Sequence, residues 1–201
     1  MKSQSFVHFG KKDLYSVKLD CPSLLFGVSK KDFVVSELDT SDKVLLEKNF
    51  KKWKDTYVGE KIINNFLSEC NAETSEIGKN KRFFIVEKVN KVCKNQIKAL
   101  CLAELIKNNV YISYLQAERE FSDKKRIHGL GSSMMYAIIN LAKKLEKNSV
   151  TLISSNKATG FYSNLGLIRL NPFTYHFYLS KKCFDEVLNT VKNKYLISEL
   201  K

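Results

Sequence analysis

The spacing of apolar residues predicts a chain of alternating strands and helices. Short runs rich in Val, Ile, Phe and Tyr are typical of strands. Apolar residues three and four positions apart indicate amphipathic helices. The predicted strands lie at residues 33–38, 83–86, 97–103, 110–115, 150–153 and 175–179. The predicted helices lie at about residues 43–53, 60–70, 130–147 and 158–165, with a last one after residue 183.

Several helices have an expected cap or buried face. Thr40, Ser41 and Asp42 are expected to cap the first helix, because side-chain oxygens accept hydrogen bonds from first-turn amides. The last helix is expected to pack on the protein's own core more than on a partner. The residues expected on buried faces are Val44, Leu45 and Phe50; Ile62, Ile63, Phe66 and Leu67; Leu130, Met134, Ile138, Leu141 and Leu145; and Phe184, Val187, Leu188, Val191 and Tyr195.

The order of these elements predicts a mixed α/β sheet with helices on its faces. The short connection at residues 107–109 indicates that the strands on either side of it form an antiparallel hairpin. At 201 residues, the chain is long enough for one domain with a buried core. We expect an N-terminal extension at residues 1–30, the main domain at 31–182, and a C-terminal helix packed on it at 183–201.

Composition narrows the class of protein. No apolar run approaches the roughly 20 residues that span a bilayer, and the N-terminus lacks the apolar core of a secretory signal. We therefore expect a cytoplasmic protein that does not engage a membrane. The five cysteines are scattered, with no CxxC or Cys/His cluster, which favours reduced thiols and no bound metal.

The formal net charge of +13 is carried mostly by lysine. Arginine, whose planar fork suits specific phosphate and base contacts, occurs only at Arg82, Arg119, Arg126 and Arg169. This bias favours solvated lysine faces. The alternative is an acidic partner such as RNA, an acidic protein surface or an anionic coenzyme.

Two glycines precede the clearest helix of the chain. The stretch from Arg126 to Gly131 has the pattern R-x-x-G-x-G and leads directly into that helix. Glycine allows close approach of the backbone, and the free amides of a first helical turn carry partial positive charge. The pattern therefore predicts a phosphate-binding loop. A second motif, FYSNLGL, follows at residues 161–167 after an intervening strand.

These motifs resemble those of the GNAT superfamily of N-acetyltransferases over roughly residues 31–182. That family has a Q/R-x-x-G-x-G/A loop after a strand that residues 112–117 resemble. It also has a closing A-x-x-F/L-Y-x-x-x-G-F segment, which residues 158–167 resemble, and the order of elements agrees. The resemblance implies the GNAT fold and an enzyme that moves an acetyl group from acetyl-coenzyme A to an amine.

The resemblance also implies which residues hold the coenzyme. Backbone groups of Leu115, Gln116 and Ala117 would pair with the pantetheine arm like an added strand. Arg126 would shape the loop or meet phosphate. Ser155 or Asn156 could hydrogen-bond the pantetheine, or cap the following helix. Backbone amides of Ile127, His128, Gly129, Leu130, Gly131 and Ser132 would hold the diphosphate, and Ala158, Phe161 and Tyr162 would complete the coenzyme site.

Tyr162 is the expected general acid, because a nearby phenol can protonate the thiolate that leaves the thioester; the alternative is a core aromatic residue. Many relatives carry a glutamate base on the strand that here contains Ser113 and Tyr114. Glu104 and Glu118 are the nearest carboxylates in sequence, although either could be a solvated strand-end charge. A water relay, or an acceptor that is already neutral, would remove the need for a base.

Several functions stay open at this point. The acceptor could be a protein, a small molecule or an aminoacyl-tRNA, the last being the target of certain toxins of this superfamily. A binding module that keeps the fold without turnover is an alternative, motivated by the absent strand glutamate. A nucleic-acid-binding domain is a third. The chain is expected to be a monomer or a homodimer.

Overall fold

The structure, a computed structural model, describes residues 12–23, 27–53, 56–88, 96–118 and 127–200. The strands in these ranges are β1 (Lys12–Ser23), β2 (Gly27–Leu38), β3 (Lys81–Lys88), β4 (Gln96–Ile106), β5 (Asn109–Ala117), β6 (Ser149–Ile153), β7 (Ile168–Arg169), β8 (His176–Ser180) and β9 (Ser198–Glu199). The α-helices are α1 (Lys43–Trp53), α2 (Tyr57–Asn71), α3 (Leu130–Lys144), α4 (Thr159–Asn164) and α5 (Phe184–Tyr195).

The strands form one mixed sheet in the order β7-β8-β6-β5-β4-β3-β2-β1-β9. Within the described part of the sheet, β5 and β6 run parallel and the other neighbouring pairs are antiparallel. The predicted mixed α/β architecture is confirmed. The predicted hairpin is also present, as β4 and β5 joined through a tight turn at residues 107–108.

The sheet separates two apolar cores. Because side chains alternate along a strand, Phe83 and Ile85 of β3 pack with α1 and α2, whereas Phe84 and Val86 belong to the core that includes α3 and α5. We name these sides the α1/α2 face and the α3 face. Each fully buried aromatic or branched residue contributes about 1.5–3 kcal/mol by leaving water, so both cores stabilise the sheet.

The N-terminal region forms a long hairpin. β1 pairs with β2 from Lys12 opposite Glu37 to Ser23 opposite Gly27. The expected boundary at residue 30 lies within β2, which begins earlier than the strand predicted from residue 33. Val17 and Leu19, which alternate along β1, are fully buried. The hairpin is therefore continuous with the sheet.

The first helix begins differently from the prediction. Asp39, not Thr40–Asp42, occupies the N-cap: its Oδ1 accepts the Ser41 N–H at 2.8 Å, and the Asp39 N–H donates to Asp42 Oδ2 at 3.0 Å. Thr40–Asp42 form a 3-10 turn before α1. Val44, expected to pack, is 55% exposed, because the buried face of α1 is the one that carries Leu46 and Trp53. The side chain of Phe50 lies outside the described residues.

The other apolar faces largely agree with the structure. The predicted residues of α2 and α5 are buried or half-buried, and α5 packs on the α3-face core of its own chain. The helix α3 ends at Lys144, before the expected residue 147, so Leu145 is 39% exposed rather than packed. No helix in the described ranges is long and apolar enough to cross a membrane.

Tyr15 makes the stability of this fold sensitive to alkaline pH. Its ring packs edge-on against Tyr136 with 5.1 Å between centroids. Burial, followed by the nearby Glu199 and Tyr136, raises the pKa of Tyr15 from 10.0 to about 12. A pKa raised by folding stabilises the protein below the unfolded value and ceases to do so as pH passes the folded value. We therefore expect the free energy of unfolding to fall between pH 10 and about 12.

Urea unfolding at several pH values tests this expectation. Tyr15→Phe should reduce the alkaline fall, because phenylalanine has no proton to lose. Tyr57→Phe is the control, since Tyr57 is 71% exposed and should not alter the profile. An identical fall in wild type and Tyr15→Phe would contradict the assignment.

Candidate active site

The parallel strands β5 and β6 separate at their carboxyl ends. Residues 109–112 pair with 149–152. Beyond this point β5 continues beside β4 to Ala117, whereas β6 ends at Ile153. Backbone groups of β5 that face away from β4 therefore border a gap and can pair with an added strand. The residues placed along the gap include the predicted Leu115, Gln116 and Ala117.

A β-bulge lies at the start of this gap. Leu102 of β4 pairs with Tyr114 of β5, and Ala103 pairs with Ile112, so Ser113 is an extra residue in β5. A bulge bends its strand and increases the local twist. The bend at Ser113 accounts physically for the separation of β5 from β6.

The glycine loop reaches the same end of the sheet, because it follows the carboxyl end of β5. The first i to i−4 bond of α3 runs from the Ser133 N–H to the Gly129 carbonyl, at 2.8 Å. The amides of Leu130, Gly131 and Ser132 therefore have no partner within the helix. Gly129 has a φ of 97° and no side chain to cap these amides. Amides left free in this way at the start of a helix could hold an anion.

Three other loop residues were predicted to contribute. Ile127 is half-buried and packs on the α3-face core, and His128 is exposed. Arg126 lies outside the described residues. The predicted backbone contacts of Ile127 and His128 stay predictions.

Tyr162 lies in α4, which follows β6 after the 3-10 turn Asn156–Ala158, and is 6% exposed. Its ring packs against Phe161 and Phe177, with centroids 4.9 and 5.6 Å away. Burial, and then the nearby Cys101 thiol, raise the pKa of Tyr162 above the ordinary value for a phenol. Cys101 pairs with Leu115 across β4 and β5. The phenol therefore lies near the segment of β5 that borders the gap, and it is protonated at neutral pH.

Phe161 packs directly over the glycine loop. A Cβ built on Gly131 would lie 2.9 Å from Cζ of the Phe161 ring, closer than real Cβ contacts. The aromatic side chain of α4 therefore favours glycine at the second glycine position of the motif. The two sequence motifs meet at this contact.

The two candidate carboxylates lie in different environments. Glu104 accepts a hydrogen bond from the Ser113 hydroxyl, so it lies at the bulge. Glu118 forms ion pairs with Lys52, at 2.6 Å, and with Lys98. Burial opposes ionisation of Glu118, but the hydrogen bonds from both lysines outweigh it and lower its pKa. A carboxylate held this way is a weak proton acceptor.

The turn after β6 holds the remaining predicted residues. Ser155 occupies the N-cap position of the 3-10 turn Asn156–Ala158, but its side chain makes no capping bond. Its carbonyl accepts the Ala158 N–H at 3.0 Å instead. Ser155 thus lies at the cap position predicted as the alternative to a coenzyme contact, without a side-chain bond, while contacts of Ser155, Asn156 and Ala158 with a coenzyme stay predictions. Across the described ranges, no group of three or more His, Cys, Asp or Glu is placed to hold a metal ion.

Some features of the candidate site could not be predicted from the sequence. The bulge at Ser113 is a matter of register between two strands, which no local pattern reveals. Tyr195 and Leu19 contact Gly129 from opposite ends of the chain, since a Cβ on Gly129 would lie 2.5 Å from Cε1 of Tyr195 and 2.9 Å from Cδ2 of Leu19. The alternation of Tyr15, Val17 and Leu19 was a signal that β1 buries one face.

A mixed sheet whose parallel strands separate beside a glycine loop and helix is the arrangement of the GNAT acetyltransferases. This chain has the GNAT acyl-coenzyme A N-acyltransferase fold, which confirms the predicted resemblance at the level of fold. Neither a family sequence model nor a curated protein matches the sequence.

Solved structures with this fold share little sequence with the chain. A tyrosine-to-phenylalanine mutant of KacT matches with a TM-score of 0.52 and 12% identity, over 77% of this chain and 98% of that chain. AtaTR bound with acetyl-coenzyme A matches with a TM-score of 0.51 and 14% identity, over 77% and 97%. A GNAT-family acetyltransferase from Staphylococcus aureus Mu50 matches with a TM-score of 0.51 and 16% identity, over 74% and 99%.

The contact between Gly131 and Phe161 predicts a specific coupling. Gly131→Ala should lower the free energy of unfolding by about 1–3 kcal/mol, because the added methyl overpacks the Phe161 ring. In a Phe161→Leu background the same change should cost less. Urea unfolding of the four proteins in this double-mutant cycle measures the coupling.

Gly160→Ala is the matched control within α4. Nothing lies within 4 Å of a Cβ at that position, and alanine is preferred over glycine in a helix by about 0.5–1 kcal/mol. An equal cost of Gly131→Ala in both backgrounds would refute the coupling.

Proposed function

We propose that the chain is an N-acetyltransferase that moves an acetyl group from acetyl-coenzyme A to an amine acceptor. The observation that carries this proposal is the separation of β5 from β6 next to the free amides at the start of α3. An extended arm that ends in a diphosphate fits such a site, because the arm can pair with β5 while the anion meets the helix. The AtaTR structure with acetyl-coenzyme A supports the choice of ligand through its fold alone.

The coenzyme would be held mainly by backbone groups. Amides of Gly129, Leu130, Gly131 and Ser132 would meet the diphosphate at the positive end of α3. Backbone groups of the β5 segment 113–117 would pair with the pantetheine arm. When bound, acetyl-coenzyme A supplies an acetyl group activated as a thioester. An amide of β5 beside the bulge would stabilise negative charge that develops on its oxygen.

Tyr162 is proposed as the general acid. Its raised pKa keeps the phenol protonated at neutral pH, so it can donate to a departing thiolate. An ordinary thiol has a pKa of about 8.5, lower than that of the phenol. This difference alone would make proton transfer from Tyr162 to the thiolate unfavourable. Burial on the α3 face also raises the pKa of the Cys101 thiol, and a dry gap would act on the leaving thiolate in the same direction.

Glu104 is proposed as the general base. Ala103 faces the α3 core, so alternation along β4 places Glu104 on the α1/α2 face. Tyr162 belongs to the opposite face, which allows an amine to approach the thioester from the side of the base. The neutral Ser113 hydroxyl orients Glu104 without neutralising its charge. Glu118, in contrast, is neutralised by Lys52 and Lys98.

This arrangement favours an enzyme over a binding module without turnover, because a carboxylate occupies the bulge although the strand glutamate is absent. The acceptor is a protein amine, a small amine or an aminoacyl-tRNA, and an assay with each class identifies which. Acetyl-coenzyme A binding by calorimetry and thiol release with these three classes test the proposal. Binding without thiol release for any class would favour the binding module, and no binding would refute the function.

Tyr162→Phe tests the general acid. We expect kcat to fall by about 10²–10⁴-fold, because the proton donor is lost, while calorimetric affinity for coenzyme A is retained. Tyr136→Phe is the control, since it removes another buried tyrosine hydroxyl on the α3 face, where its ring packs on Tyr15. Unchanged turnover in Tyr162→Phe would remove it from the acid role.

Glu104→Gln tests the general base through its pH profile. With an alkylamine acceptor of pKa about 10.4, the variant should lose about 10²-fold or more in kcat/KM at pH 7. The deficit should shrink as the pH approaches the pKa of the acceptor, because a neutral amine needs no base. In Glu118→Gln, kcat/KM relative to wild type should not recover with rising pH in this way. A pH-independent deficit in Glu104→Gln would contradict its role as the general base.

A further inference from the structure

Gly129 is enclosed by side chains from both ends of the chain. Its φ of 97° places it in a region that side-chain-bearing residues rarely adopt. A Cβ there would lie 2.5 and 2.8 Å from two ring carbons of Tyr195, and 2.9 Å from Leu19. The Cα of Gly129 therefore rests against an aromatic ring from α5 and a leucine from β1.

Tyr195 is itself firmly held. It is the last residue of α5 and only 7% exposed. The next residue, Leu196, turns the chain with a φ of 48°, after which β9 pairs with β1. The Leu200 N–H also donates to the Leu14 carbonyl at 3.1 Å. The chain segment after Tyr195 is thus tied to the strand that carries Leu19.

This packing bears on the amides of the glycine loop. The Gly129 carbonyl accepts the first bond of α3, so the orientation of its peptide groups sets where the first-turn amides point. We propose that Tyr195 is a positioning residue that holds Gly129 in its left-handed conformation and thereby aligns the amides for the coenzyme diphosphate. The inference rests on the proposed function for the identity of the anion.

The contact is made by ring carbons, not by the phenol. Both Tyr195 atoms nearest to Gly129, Cε1 and Cδ1, are also present in phenylalanine. The centroid of the Tyr195 ring also lies 5.4 Å from Nζ of Lys194, a cation–π contact that any aromatic ring can keep. Tyr195→Phe should therefore preserve the function, whereas Tyr195→Leu removes the flat surface and keeps an apolar residue.

The test compares ligands with and without a diphosphate. Tyr195→Leu should weaken calorimetric binding of coenzyme A by about tenfold or more, as expected when a charge-assisted hydrogen bond is misaligned. Its kcat/KM with S-acetylpantetheine, which lacks the diphosphate, should be unchanged. Tyr195→Phe should behave as wild type in both assays.

Val191→Ala is the matched control, because Val191 lies on the same buried face of α5 at 2% exposure. It should lower the free energy of unfolding without a loss that is specific to coenzyme A over S-acetylpantetheine. If Tyr195→Leu does not fold, Leu19→Ala removes the second contact with Gly129. It should likewise weaken coenzyme A binding and leave kcat/KM with S-acetylpantetheine unchanged. Equal losses for both ligands, or no loss for coenzyme A, would overturn the positioning role. Absence of coenzyme A binding by wild type would overturn the proposed function and this role together.

Discussion

The single extra residue in β5 at Ser113 is the constraint on which the candidate site depends. Without it, β5 would stay in register with β4 and could run beside β6 to its end. The bulge bends β5 away, and backbone groups that would complete a parallel ladder border a gap instead. Because the strands are parallel, the loop that follows β5 and the turn that follows β6 both arrive at this opening. Geometry of the main chain, more than any side chain, defines the proposed ligand site.

The electrostatic character of the site follows from its position between two faces of the sheet. On the α3 face, burial keeps the Tyr162 phenol and the Cys101 thiol neutral. On the other face, Glu104 meets a neutral hydroxyl, whereas Glu118 is held by two lysines. The proposed proton donor and the proposed proton acceptor therefore lie on opposite faces of the sheet. The lysine pair around Glu118 instead connects α1 to the ends of β4 and β5.

Local chemistry was readable from the sequence, and long-range register was not. The two glycines and the FYSNLGL segment predicted a loop and a short helix, because each is encoded by neighbouring residues. The apolar face of α5 was predicted for the same reason. The bulge at Ser113 depends on how β4 aligns with β5, and the contact of Gly129 with Tyr195 joins residues far apart in the chain. The cap lies at Asp39 and not at the predicted Thr40–Asp42, because Asp39 and Asp42 are both good capping residues and only their mutual bonding selects Asp39.

The pairing of β1 with β9 has a consequence for how the molecule is made. β9 is synthesised after all the other described strands and helices, and the segment that carries Tyr195 is attached to β1 through it. β1 therefore cannot pair at Tyr15 and Ser16 on this edge until β9 has been synthesised. Contacts between distant segments form slowly, and uncovered strand edges favour aggregation. Nascent chains that stall before α5 would contain both sequence motifs. They would lack Tyr195, which packs against Gly129 of the glycine loop.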